Sequence, residues 1–372
     1  MSPSQPSRVR VRGRSLKLAD WPAADRLAWT AALQPGDIFD AASRPAARWR
    51  SSTREMIERG YGHWLSWLGG QGLLGADATP ASRATRERVA AYAADLATRG
   101  SDYTVVARVS QLGDALRAVA PEGDWGWILR GSQRLEARAV PVRDKQGRMR
   151  SPHELLALGQ LLMDRADTDV HATAVQRAKL HRDGLLIALT VLRPLRGGNL
   201  AAITLDRHLH QCGSGWALRF GPEETKHGRH LELSWPEELT DRLARYLGEH
   251  RPLLLRCTRK ALAPTSRLWV SAHGTPMTYG ALSLQVKART KAAFGKSVYL
   301  HLFRDCVATA MATGAPERTG DVALVLGHAS LSTSERHYNH ATTLSASNTH
   351  QDIVEDVRQQ VEGDRRKRGR AA

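Results

Sequence analysis

Residues 326–341 read LGHASLSTSERHYNHA. Leu326-Gly327-His328 closes a predicted helix over 317–326, where glycine is compatible with a helix C-cap and sets His328 at a turn. Tyr338 stands ten positions beyond His328, past that turn and within a second predicted helix over 332–342, a distance that lets phenol and imidazole meet. A tyrosine hydroxyl, with an ordinary pKa near ~10, needs a base or a strongly cationic setting to attack at neutral pH. Three segments upstream hold residues able to supply one.

The first is LRGGNL, residues 195–200, which follows the apolar run Leu185 to Leu192 and the helix-breaking Pro194. Arg196 emerges there from rigid structure and can aim a planar fork at phosphate oxygens, although an arginine at such a break could equally be a surface residue. The second is TKHG, residues 225–228, which places Lys226 in the turn between two predicted strands. Taken alone it is an exposed loop lysine. The third is HLFR, residues 301–304, where His301 and Arg304 stand three apart on a predicted helix over 301–312 and share a face.

The order Arg, Lys, H-x-x-R, L-G-H, Tyr resembles the tyrosine recombinase (phage integrase) family, which shares its catalytic fold with type IB topoisomerases. The match runs through LRGGNL, TKHG, HLFRDCVATAMA and LGHASLSTSERHYNHA, over about residues 153–345. The resemblance implies a mainly α protein with a small antiparallel β-sheet, built as a helical core-binding (SAM-like) domain plus a catalytic domain. It implies that Arg196 and Arg304 bind the non-bridging oxygens of the scissile phosphate, with His301 and His328 completing the cradle and moving protons. Lys226 would protonate the departing 5′-oxygen, and Tyr338 would form a 3′-phosphotyrosine. Double-stranded DNA with specific recombination sites would be the partner, held by a homo-tetramer on two sites, in the integration, excision or transposition of a mobile element. No metal and no nucleotide cofactor is expected, since the phosphotyrosine conserves the bond energy and no Walker-type loop is visible. The chain departs from the family where Asn199 stands in place of a common glutamate, and Arg193 rivals Arg196 as the first arginine. Arg196 fits better, because Asn199 and Leu200 then fall where R-x-x-[E/N]-L requires. Two other functions fit the same residues: a type IB topoisomerase-like enzyme, and a DNA-binding accessory protein that has lost catalysis.

Composition agrees with a polyanionic partner. The 372 residues carry 54 Lys and Arg against 37 Asp and Glu, a formal charge of +17 that attracts nucleic acid. The apolar run Gly184 to Leu192 is far short of the ~20 residues that span a bilayer. No apolar segment follows the charged first residues, so a cytoplasmic protein without membrane association is expected. Cys212, Cys257 and Cys306 lack zinc-like or disulfide-like spacing. His208, His210 and Cys212 alternate along a predicted strand, which reads more simply as a half-solvated strand than as a metal site.

The layout expected from these patterns begins with a basic, partly helical N-terminal arm over 1–50 and a helical core-binding domain over 51–139. In that domain Tyr61, Trp64, Leu65 and Leu68 mark a helix stopped by Gly69-Gly70, and Thr104 caps another. A basic linker over 140–152 follows, then the catalytic domain over 153–345, with helices at 153–165, 171–192, 236–247 and 279–293 and a small sheet within 207–233. A C-terminal helix at 351–361 and a basic tail fill 346–372.

Overall fold

The structure, a computed structural model, describes residues 14–36, 45–75, 78–140, 145–226, 228–257 and 265–314. The predicted helices at 317–326, 332–342 and 351–361 lie outside the described residues, as do His227, His328 and Tyr338. The described elements are helical apart from one three-stranded sheet, and they divide into two compact units between Asp144 and Lys145.

The first unit is a helical bundle of α1 (Ala23–Ala32), α2 (Ser51–Gly70), α3 (Pro80–Arg83), α4 (Arg86–Ala97), α5 (Asp102–Val119) and α6 (Gly126–Arg138). Tyr61, Trp64, Leu65 and Leu68 of α2 are wholly buried, as their helical spacing predicts. They meet Leu112 and Leu116 of α5, and Trp64 stacks on Trp67 at 5.3 Å. The helix ends at Gly70, where Gly69-Gly70 implies. Gly72 takes φ +72°, and Leu73 N–H donates to Leu68 O at 2.9 Å, a left-handed cap that glycine adopts without a Cβ clash. By contrast, Ser101, not Thr104, begins α5, which sets Asp102 in the first turn where a carboxylate complements the helix dipole.

The expected N-terminal arm is corrected in its described part. Trp21 and Trp29 are buried in the core of this unit, Trp29 completely, and Trp21 packs edge-on against Tyr61. Asp25, also fully buried, accepts a 2.6 Å hydrogen bond from Tyr61 Oη and forms an ion pair with buried Arg83. Large aromatic area and a paired buried charge hold residues 14–36 to the bundle.

The second unit is centred on α7 (Pro152–Thr168) and α8 (Ala174–Leu192). Ser151–Glu154 and Thr173–Gln176 form reciprocal capping boxes at their N-termini. The two helices touch backbone to backbone: a Cβ on Gly184 would come 2.5 Å from Gly159 O, and one on Gly159 would come 2.9 Å from Gly184 O. From Leu185 to Val191 every residue of α8 is buried. After α9 (Gly197–Ala202) come β1 (Leu209–Cys212), β2 (Gly215–Phe220) and β3 (Leu231–Ser234), an antiparallel meander with Leu209 opposite Leu218 and Leu218 opposite Leu233. A near-continuous helical stretch follows: α10 (Thr240–Arg245), a π-helical turn over Tyr246–His250, and α11 (Arg251–Arg256). Helices α12 (Tyr279–Phe294) and α13 (Leu300–Gly314) complete the described fold.

The linker expected over 140–152 is shorter than its composition implies. Lys145 pairs with Asp305 at 2.6 Å, Arg148 donates to Ser297, and Met149 packs on the core of the second unit. Polar sequence here reflects docking through charged side chains rather than a free connection.

Candidate active site

The best-formed cluster of sequence-predicted residues lies where α8 breaks. Arg193 caps α8 with φ −134° and ψ 88°, Pro194 and Leu195 turn the chain, and Arg196 enters α9 as its N-cap in an extended conformation. Arg304, one turn into α13, is buried to 6% exposure and donates to Pro194 O. Arg196 and Arg304 thus line one cleft of about 360 Å³ together with Asn199, Thr225 and Ser234. Arg193 lines it too, but its guanidinium is committed to β3, donating to Ser234 O at 2.8 Å and Ser234 Oγ at 3.0 Å.

The electrostatics of this cleft favour an anion. Burial, and then the charge of neighbouring Arg196, bring Arg304 down to about 10, and burial lowers Arg196 as well. Both remain cationic at neutral pH. Two partly desolvated cations that repel each other are stabilised by a negative group placed between them.

Asn199 ties the cleft to the hairpin that carries Lys226. Its Nδ2 donates to Glu224 O at 3.2 Å, and Glu224 Oε1 in turn lies 2.8 Å from His208 Nε2. Thr225 closes the following turn by donating to Arg229 O at 2.6 Å, and Gly228 takes φ +66°. Lys226 projects from this turn, exposed, next to the cleft-lining Thr225. His301 is exposed at the start of α13 and, unlike Arg304, is not among the cleft residues. The arrangement therefore brings Arg196 and Arg304 together, holds Lys226 on an adjoining turn, and leaves His301 one helical turn outside. His328 and Tyr338 fall outside the described residues.

His208 does not belong to a metal site with His210 and Cys212. Its Nδ1 lies 3.0 Å from Thr204 N–H and its Nε2 contacts Glu224, while His210 turns to Arg207 O. Cys306, two positions after Arg304, is a core residue.

The first unit carries its own cationic cleft, of about 560 Å³, between α2, α4 and α5. Arg14, Arg99 and Arg108 line it with His63, Trp67 and Tyr92. Burial, and then Arg108, Arg59 and Arg99, lower His63 to about 4, so the imidazole is neutral at pH 7 and the positive field comes from the arginines. Among the described residues no helix is long and apolar enough to cross a membrane.

No protein-family model matches the sequence, and no curated protein is significantly similar to it. Solved structures are similar in fold. The XerH site-specific recombinase bound to palindromic difH substrate, in a post-cleavage complex, superposes with a TM-score of 0.53 at 15% identity, covering 90% of this chain and 98% of that one. XerH bound to difH in a pre-cleavage complex gives a TM-score of 0.52 at 16% identity, covering 90% and 99%. The chain has the tyrosine recombinase fold. Within that fold, the broken end of α8 and the first turn of α13 hold the two arginines that the sequence motifs single out.

Proposed function

We propose that this chain is a site-specific DNA recombinase that breaks and rejoins strands through a phosphotyrosine at Tyr338. The observation that carries this reading is the placement of half-buried Arg196 and buried Arg304 in one cleft of a recombinase fold. A phosphodiester under attack gathers negative charge on its non-bridging oxygens, and preorganised guanidinium groups stabilise that charge without a metal ion. Arg304 is rigidly oriented by its bond to Pro194 O, which favours positioning over mere attraction.

In the proposed reaction the Tyr338 oxygen attacks phosphorus, its proton passing to His328 or His301. The P–O bond to the 5′-oxygen breaks as Lys226 delivers a proton to that oxygen. The products are a 3′-phosphotyrosine and a free 5′-hydroxyl, and attack by a 5′-hydroxyl reverses the chemistry with no need for ATP. Asn199, standing where relatives often carry a carboxylate, acts by holding α9 to the Lys226 hairpin rather than by charge. The cationic cleft of the first unit supports contact with the DNA backbone, and four protomers on two sites would complete an exchange.

Covalent capture tests this reading. Nicked duplexes tiled across the DNA flanking the gene, incubated without metal or ATP, should give a denaturation-resistant protein–DNA adduct with the wild type and none with Tyr338→Phe. Tight DNA binding with no adduct from either protein would instead point to a catalytically silent accessory protein. Adducts at unrelated sequences would point to topoisomerase-like relaxation.

A further inference from the structure

Away from the arginine cleft, three side chains from separate helical segments of the second unit converge. Asp167 lies near the end of α7, His181 in α8, and His250 at the last position of the π-helical turn. One ligand-capable atom from each lies within 4.8 Å of the other two. His181 is fully buried and His250 is 9% exposed, yet His181 Nδ1 and His250 Nε2 are both buried without a hydrogen-bond partner. An unpartnered polar atom in the interior loses its hydration with nothing in return, so two of them on neighbouring rings, with centroids 4.4 Å apart, call for a ligand.

The surroundings fix the chemistry of that ligand. His181 Nε2 lies 2.8 Å from Arg242 O. A carbonyl only accepts, so Nε2 carries the hydrogen and Nδ1 presents its lone pair. Metal-bound histidines are commonly oriented in this way, through the far ring nitrogen. The Asp167 carboxylate is held at Oδ2 by guanidinium contacts from Arg242 at 2.9 Å and Arg245 at 2.8 Å. Arg242 therefore steadies two of the three groups, one by its carbonyl and one by its side chain. The π-helical turn that presents His250 is a rare irregularity that occurs frequently at functional sites. A cleft of about 590 Å³ lined by Asp167, Arg245 and His250 gives an ion a way in.

We propose that Asp167, His181 and His250 bind one divalent transition-metal cation, Zn²⁺ above all, which ties α7, α8 and the π-helical turn together. Two imidazoles and a carboxylate suit this class of ion and leave a fourth position for water. The role is structural. Helix α8 is the one whose broken end presents Arg196, so the ion stiffens the element on which the arginine cleft is built. The site does not depend on the recombinase reading.

The test uses full-length, untagged protein stripped with a chelator and titrated with ZnCl₂. The wild type should bind one equivalent, and a concentration one hundred times the Kd should raise the thermal midpoint by about 5 °C. Co²⁺ in its place should give the intense visible absorption of a low-symmetry four-coordinate site. His250→Ala should lose the equivalent and the thermal shift. Asp167→Asn, at a solvent-accessible position that disturbs no core packing, should weaken binding at least about tenfold, so the test does not depend on the folding of His250→Ala. Binding of unchanged stoichiometry and affinity in Asp167→Asn would overturn the proposal by placing the metal on other histidines. A wild type that binds no equivalent would overturn it by leaving an internal water as the partner of the ring nitrogens.

Discussion

Arg304→Lys is expected to lower single-turnover strand cleavage by about 10²–10³-fold, with DNA affinity changed by no more than about twofold. Lysine keeps the positive charge, so the long-range field that draws DNA is preserved. What is lost is the planar fork. Arg304 is buried, and its guanidinium donates to Pro194 O while lying close enough to Arg196 to be shifted by its charge. A lysine ammonium at the end of a flexible stem cannot hold Pro194 O and two phosphate oxygens in one plane. The same substitution should cost little cooperativity in thermal unfolding, which separates a chemical defect from a folding one. Cleavage at the wild-type rate would show that Arg304 serves the fold and not the phosphate.

The second large effect concerns the first unit. Asp25→Ala is expected to destabilise that unit by about 3–5 kcal/mol in urea unfolding, because Arg83 would stay buried with its carboxylate removed. Both partners are fully buried, and Tyr61 loses its acceptor in the same step. Burial, and then Asp25, push the Tyr61 hydroxyl well above its usual range, so it remains a neutral donor at any working pH. Pairing Asp25→Ala with Arg83→Met should recover much of the loss, since removing both charges leaves no orphan. A single-variant loss below about 1 kcal/mol would mean that water reaches Arg83 in the folded state.

Much of this architecture is legible in the chain, for reasons that particular residues make plain. The run Leu185 to Val191 is apolar on every side, so it must be a central helix, and Pro194 must end it. Glycine and polar residues at 213–215 mark the turn joining β1 to β2, with Gly213 at φ +60°. Arg304 and Cys306 lie on the buried face of α13, which the apolar residues around them mark out.

Other features could not be read locally. The burial of Trp21 and Trp29 is decided by the bundle they pack against, while the basic and proline-rich residues around them resemble an exposed tail. His301 and Arg304 share a helical spacing, yet a residue at the open end of a helix is solvated while one a turn later meets the core. The Asp167–His181–His250 group leaves no signature, since its members are 14 and 69 positions apart and meet only through packing of α7, α8 and the π-helical turn. Arg193 and Arg196 are rivals in sequence, where only the spacing to Asn199 and Leu200 favours the second, and their surroundings separate once β3 supplies Ser234 to the first.

The atom to which DNA becomes attached identifies the nucleophile directly. The covalent adduct formed on a nicked duplex can be digested with nuclease and trypsin, and the modified peptide sequenced by mass spectrometry. The prediction is a nucleotide linked through its 3′-phosphate to Tyr338, in the peptide that begins at His337. A nucleotide on any other residue, or attached through a 5′-phosphate, would contradict it.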